Sequence, residues 1–392
     1  MSKINTETLL RLKINEMSTM SIGCYNKNFE HELKKATKIR PKENIIKEEQ
    51  EKLFNLYENT YFLYPAKKDR ISSYMDLIKK NWRLALKMGD RLLTIIKFTG
   101  NSQEHEQETT ISFWRTTLNS WIAQHLCSTG FPVGVCAMML KAQAEVNFKS
   151  DRYKSFQNWF SSENRFAQSV FGTLVKTIGE EYSNIELFNY IGLNSINYLP
   201  SNHIFIVQYE HSMHQELYNF YCRIRGKQDA EAEEFDEDDI ELDQLDEIYQ
   251  TVSLRRKRFV WLAYMKNKAQ PIGVAVANRG PFGLNFSLIE NRCDLLIDPS
   301  LSTEDRRIVC HNLLSKVSND YFENDHNLCY PINYIPVVAD EQSASILLES
   351  DAVLLRQYNK SVWLRGGFES WYEHIRNKYA SYFETMKDRI KN

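Results

Sequence analysis

Three groups of residues carry side chains suited to chemistry. Glu290, Asn291 and Arg292 interrupt an apolar run, and Asn285 lies just upstream. A carboxylate, two amides and a guanidinium so close together can line a pocket, with Glu290 as a general base and Asn285 and Arg292 holding a polar ligand. If Ser287–Ile297 is a strand, Glu290 and Arg292 share one face, because alternate side chains point to opposite sides. A solvent-facing pair contributes little, whereas a buried one marks a site. His211 and His214 stand at i and i+3, a spacing that can bring two imidazoles to one metal ion. No third ligand is evident nearby, so the expectation is two surface histidines and no metal. Gly280-Pro-Phe-Gly283 has two glycines but lies between strands. A phosphate cradle needs its glycines where a helix starts and free N–H groups converge, so a tight turn is expected. No GxSxG, HExxH, Walker loop or GxGxxG occurs.

The elements around these groups alternate between helix and strand. Apolar residues from Ile45 to Tyr61 recur at helical spacing, and Tyr74 to Leu86 reads as a second helix stopped at Gly89. Arg91–Phe98 and Thr109–Leu118 read as paired strands, with Gln103–Glu108 as the hairpin tip. Pro132–Phe148 and Asn164–Ile178 read as helices. After Pro200-Ser-Asn202 come a strand (His203–Tyr209), a helix (Met213–Tyr221), then strands at Arg258–Met265, Pro271–Ala277 and Ser287–Ile297. Ser302 is a good N-cap for a helix to Tyr321. A strand (Ile332–Val338), a short helix (Glu341–Glu349) and a strand (Val353–Leu364) follow, broken by Gly366-Gly367.

This order predicts an α/β (α+β) fold of two mixed-sheet domains with flanking helices. The expected organisation is an N-terminal arm (1–40), an α/β domain (41–199), a second domain (200–365) and a C-terminal helix (366–392). With 392 residues, 43% hydrophobic, and a net charge of only -2, disorder is excluded as the overall state. That balance hides an acidic insert, 228–247, carrying twelve carboxylates and no Lys or Arg. It reads as a solvated loop running into a helix, or as a docking element for a protein partner. The remaining basic residues are scattered, which argues against nucleic acid; Arg255-Arg-Lys-Arg258 is the one short run. Seven cysteines without a CxxC pair, no apolar N-terminal stretch of signal-peptide length and no long apolar run point to the cytoplasm and away from a membrane.

Residues 201–365 resemble the GNAT (N-acetyltransferase) superfamily. In that family a strand ending in a hydrophobic-x-Pro unit leads into a glycine-rich turn that holds the pyrophosphate of acyl-CoA. Leu296-Ile297-Asp298-Pro299 is similar to the strand end, but Ser300–Arg307 contains no glycine and brings Glu304 and Asp305 to the seat. Arg306 and Arg307 partly offset that charge and are the candidate phosphate contacts. The family's later helix, Asn-x-x-Ala-x-x-x-Tyr, overlays on Glu341, Ala344 and Leu348, so the tyrosine that protonates the leaving thiolate is a leucine here. Glu290 falls near the place of a family base. In the N-terminal half, Asn164-Arg-Phe-Ala167-Gln-Ser-Val-Phe171 echoes the same helix, as a divergent second copy would.

The resemblance therefore implies a non-catalytic, acetyltransferase-like binding or regulatory protein without a cofactor. The alternative is a divergent N-acyltransferase that uses acyl-CoA, with Glu290 as base; a nucleic-acid-associated factor is a third class. The shape of the split between the strands ending near Pro299 and Val338 separates the first two. An open split favours acyl-CoA, and one filled by side chains speaks against it.

Overall fold

A computed structural model describes residues 36–38, 46–60, 62–101, 106–129, 142, 152–266, 268–322 and 328–378. The expected helix Pro132–Phe148 lies, apart from Ala142, outside these residues, as do most of the N-terminal arm and the chain beyond 378.

The first helices are α1 (Ile46–Asn59), α2 (Pro65–Ile71) and α3 (Met75–Met88). Gly89 ends α3 at φ +50°, a left-handed turn that glycine adopts without strain. Strand β1 (Ala36–Lys38) precedes these helices, and β2 (Leu93–Asn101), β3 (Glu106–Arg115), β4 (Ser120–Ser128) and β5 (Ser155–Ser161) follow. Next come α4 (Arg165–Phe171), α5 (Leu174–Ile178) and β6 (Ser183–Leu193). The helix expected over Asn164–Ile178 is two helices, because the chain leaves the helical path around Gly172 and Thr173.

The second half begins with β7 (Ile204–Gln208), α6 (His214–Arg225), α7 (Lys227–Ala232) and α8 (Asp243–Gln250). It continues through β8 (Lys257–Met265), β9 (Gly273–Arg279) and β10 (Cys293–Ile297) to α9 (Thr303–Phe322). It closes with β11 (Ile335–Ala339), α10 (Glu341–Leu348), β12 (Ala352–Leu364) and helical residues 368–378. The Ser302 hydroxyl caps α9 as expected, accepting from the Asp305 amide at 3.1 Å.

All the described strands lie in one sheet, ordered β1-β2-β3-β4-β5-β12-β6-β11-β10-β9-β8-β7. The order is symmetric about the β12–β6 pair. On each side a parallel pair, β4–β5 or β10–β11, sits among antiparallel neighbours. Each half also lends the other a strand: β12 lies beside β5, and β6 beside β11. Both parallel pairs are short. β4 and β5 are in register only from Ser120↔Ser155 to Ala123↔Asn158, and β10 and β11 only at Cys293↔Val337 and Asp294↔Val338. Beyond those points the strands fork, so the sheet has one opening in each half. No described helix is long and apolar enough to cross a membrane.

Two expectations are corrected. Ser287–Ile297 is not one strand: Leu288 adopts φ +60°, Ile289–Asn291 form a 3-10 turn, and the strand starts at Cys293. Glu290 and Arg292 therefore do not share a strand face. The acidic insert is not a solvated loop either, since Asp229, Glu233, Glu234 and Asp246 are all buried. Glu233 accepts from Arg292 at 2.5 Å, Lys360 at 2.9 Å and Arg258 at 3.2 Å. Carboxylates this deep are tolerable only when paired in this way.

Candidate functional site

The two forks differ in what fills them. At the C-terminal fork, Arg225 donates to the Leu295 carbonyl at 3.3 Å and stacks its guanidinium 4.1 Å from the centre of the Phe188 ring. Arg306 donates to the Asp298 carbonyl at 3.2 Å and to the Ser343 hydroxyl at 3.3 Å, and pairs with Asp340 at 3.7 Å. Both arginines are buried. They narrow the split and occupy two of its backbone carbonyls, and both line the surface groove of about 460 Å³ that remains there. Arg307 turns outward to Glu349 at 2.5 Å, and Leu348 is exposed with no proton to give.

The N-terminal fork keeps an interior cavity of about 310 Å³. Its walls come from β4, β5, α2, α4 and the strand lent by the other half, and the loop after β9 closes one side. β4 carries a bulge, two residues standing opposite Ile111, where His125 takes φ +54°. A bulge of this kind re-aims a side chain. The His125 ring stacks on Phe286 at 4.5 Å and on Trp82 at 5.4 Å. Its Nε2 accepts from the Phe286 amide at 3.3 Å. Burial, with Lys67 nearby, holds the imidazole well below its usual pKa and hence neutral. A neutral ring that accepts at Nε2 carries its proton on Nδ1, and Nδ1 has no partner among the described residues.

Asn158 stands at the point of the fork. Its Nδ2 donates to the Ala123 carbonyl at 2.8 Å, and its Oδ1 is left without a described partner. Both residues line the cavity, and these two atoms are buried without a described partner. Tyr358 and Arg356 project into it from β12, two residues apart and so on one face. A register shift between Leu354 and Arg356 sets their direction. Burial raises the Tyr358 pKa, so its hydroxyl stays protonated, donating to the Ser287 hydroxyl at 3.0 Å. Lys67 enters from α2, its ammonium 4.7 Å from the Phe62 ring centre and 5.3 Å from that of Tyr64.

Of the candidate site residues read from the sequence, Asn285 lies in this cavity, donating to Gln124 at 2.7 Å, and Asn164, Ala167 and Phe171 of the echoed helix line it too. Glu290 is fully buried behind it and accepts from the Gly283 amide at 2.7 Å. Burial raises its pKa to about 8, and Glu290 lines neither fork. Arg292 is tied to Glu233 and Asp294 within the core. The run Arg255–Arg258 is likewise engaged internally: Arg255 and Lys257 pair with Asp246 and Asp243, Arg256 with the Thr116 and Glu290 carbonyls, and Arg258 with Glu233. His211 and His214 do gain a neighbour, since their ligand atoms and one from Asp238 lie within 4.8 Å of one another. His211 and Asp238 are exposed, His214 is half-buried, and none is locked in a buried seat.

The framework is a mixed α/β sheet with flanking helices, forked at a parallel pair in each half, and its element order is the one on which the resemblance to N-acetyltransferases rests. Solved structures with a distant likeness to it include an acetyltransferase-like protein from Pyrococcus horikoshii: 10% identity, TM-score 0.41, 84% of this chain and 89% of that chain. Another is a tandem GNAT protein from the clavulanic acid biosynthesis pathway: 9%, 0.36, 76% and 95%. A third is a GNAT-family acetyltransferase from Colwellia psychrerythraea: 7%, 0.33, 76% and 96%. At these identities the likeness concerns the fold alone. No family model and no curated relative matches the chain.

Proposed function

We propose that this protein binds a small ligand in the fork of its N-terminal half, on an acetyltransferase-like framework whose C-terminal fork is narrowed by its own arginines. The contrast between the forks carries the reading. Arg225 and Arg306 are tied to backbone carbonyls across one and leave a surface groove. The other keeps a cavity lined by His125 and Asn158, whose buried Nδ1 and Oδ1 lack partners among the described residues. A buried polar atom without a partner costs about 1–3 kcal/mol, and a ligand that meets it recovers that amount.

The role is binding rather than turnover. Leu348 and Phe171 stand where the family pattern calls for a tyrosine, and neither can protonate a leaving thiolate. No cofactor is part of this reading. The carboxylates left facing outward, such as Asp238 and Glu247, offer a smaller docking surface for a protein partner than the sequence suggested. The unpaired cysteines Cys127, Cys293 and Cys310 support a cytoplasmic setting. One observation favours acyl transfer as a second reading: Tyr358 brings a protonated hydroxyl to the open cavity.

Titration calorimetry with short acyl and aryl ligands, acetyl-CoA and longer acyl-CoAs tests the proposal. Binding that is lost in Ala167→Phe, which fills the cavity, and kept in Arg306→Ala supports it. The reverse pattern contradicts it. Thiol release from acetyl-CoA that disappears in Tyr358→Phe supports the second reading instead.

A further inference from the structure

The charges around the N-terminal cavity are all of one sign. Lys67 and Arg356 line it, and no described Asp or Glu does. Lys67 is 7% exposed. Among the described residues it has no hydrogen-bond or ion-pair partner, only the faces of Phe62 and Tyr64. Arg356 sits over the other contact of Tyr64, 4.9 Å from the ring centre. Elsewhere in this molecule buried cations are paired: Lys360 with Asp229 and Glu233, Arg292 with Glu233 and Asp294. Fully buried Arg256, which has no described carboxylate partner, is held by the Thr116 and Glu290 carbonyls, whereas the Lys67 ammonium has neither carboxylate nor carbonyl among the described residues. The opposite part of the cavity is apolar, formed by Leu126, Phe160, Phe166 and Phe171.

We propose that the N-terminal cavity recognises an anionic group, a carboxylate or a phosphate, between Lys67 and Arg356, with the apolar body of the same molecule against Phe160, Phe166 and Phe171. This rests on the reading of the N-terminal fork as the ligand cleft and names the chemistry that it takes. The anion supplies the counter-charge that the protein leaves out. Tyr64, Tyr358 and His125 line the same cavity.

The electrostatics agree. Burial, with Arg356 and Arg70 close by, lowers the Lys67 pKa to about 7. Tyr64 and Arg70 flank Lys67 on its own segment, Arg356 and Tyr358 face it from β12, and His125 from β4; none of them is acidic at neutral pH. A bound anion restores the protonated form, so binding above neutral pH takes up a proton.

The test compares octanoate, octyl phosphate and neutral octanamide by titration calorimetry, in two buffers of different ionisation enthalpy at pH 8. At least one of the anions is expected to bind about tenfold or more tightly than the amide, with proton uptake. Lys67→Met is expected to abolish both the preference and the uptake. If octanoate binds and octyl phosphate does not, the site is a carboxylate site; the reverse makes it a phosphate site. Equal binding of amide and anions, or a preference that survives in Lys67→Met, overturns the inference, as does no binding by either anion. If all three bind equally and Ala167→Phe removes all three, the cleft reading stands and only the charge assignment falls.

Discussion

Glu233 and Glu234 are neighbours in sequence and turn to different partners, Glu233 to a cluster of buried cations with Gln157 of the first half, Glu234 to the turn entering β4. Glu233 gathers Arg258 and Arg292 from the second half, with Lys360 on the lent strand. Glu234 turns back with φ +58° and accepts from the Leu118 amide at 2.9 Å and the Asn119 amide at 2.6 Å, at the turn entering β4. Two adjacent carboxylates thus clasp the two halves near the forks.

Glu233→Gln leaves Arg292 and Lys360 short of a charge inside the core. A loss of about 3–5 kcal/mol is expected in urea unfolding at neutral pH. Glu234→Gln, which keeps an oxygen for the turn, is expected to cost about 1–2 kcal/mol. Burial alone would raise the Glu233 pKa, but Arg292, Lys360 and Arg258 outweigh it and hold the carboxyl well below its usual range. The stability that Glu233 contributes is therefore complete above about pH 4.5, its unfolded value, and is lost as the pH falls below that. The wild type should unfold on acidification through this region, and Glu233→Gln should show a flatter profile.

The exchange of β6 and β12 predicts that neither half folds alone. Residues 41–199 lack β12, the partner of β5, and residues 200–392 lack β6, the partner of β11. Each fragment is expected to give poorly dispersed amide spectra alone, and a mixture of the two to recover dispersion. A dispersed spectrum from either fragment by itself would refute the exchange.

Glu290→Gln is expected to leave ligand binding unchanged and to cost less than about 1 kcal/mol at pH 7, because the buried side chain is already protonated there. Its folded pKa of about 8 lies above the 4.5 of the unfolded chain. Its stabilisation is thus fully present below pH 4.5 and fades as the pH rises through 8. The variant should lack that slope in denaturation curves from pH 5 to 8. A loss of binding in Glu290→Gln would reinstate it as a site residue.

Lys67 has the opposite sign. Its folded pKa lies below the unfolded value, so the unfolded chain binds more protons between about pH 7 and 10.5, and stability rises with pH across that window. Lys67→Met should raise stability at pH 6 by about 1 kcal/mol or more while losing the anion. A stabilising change that removes binding is the mark of a group kept for function.

Much of the framework was legible in the sequence. Helical period and Gly89 marked α3, and Ser302 marked the start of α9. β4, β5 and β6 were not read as strands; in β4 and β5 buried polar residues break the pattern. Ser120, Gln124 and Gln157 are satisfied by Glu234, Leu284 and Glu233 from the other half, and such partners leave no local trace. The acidic insert misled for the same reason: Glu233 meets cations 25, 59 and 127 residues away. Lys67, in Lys67-Lys-Asp-Arg70, looks like part of a solvated helix face. Only the fold shows that it is buried beside Arg356.

The most direct measurement is one calorimetric comparison of octanoate binding to the wild type, Ala167→Phe and Arg306→Ala. The account predicts binding to the wild type, none to Ala167→Phe and unchanged affinity in Arg306→Ala. Binding that survives a filled N-terminal cavity, or that vanishes when the C-terminal fork is altered, would contradict it.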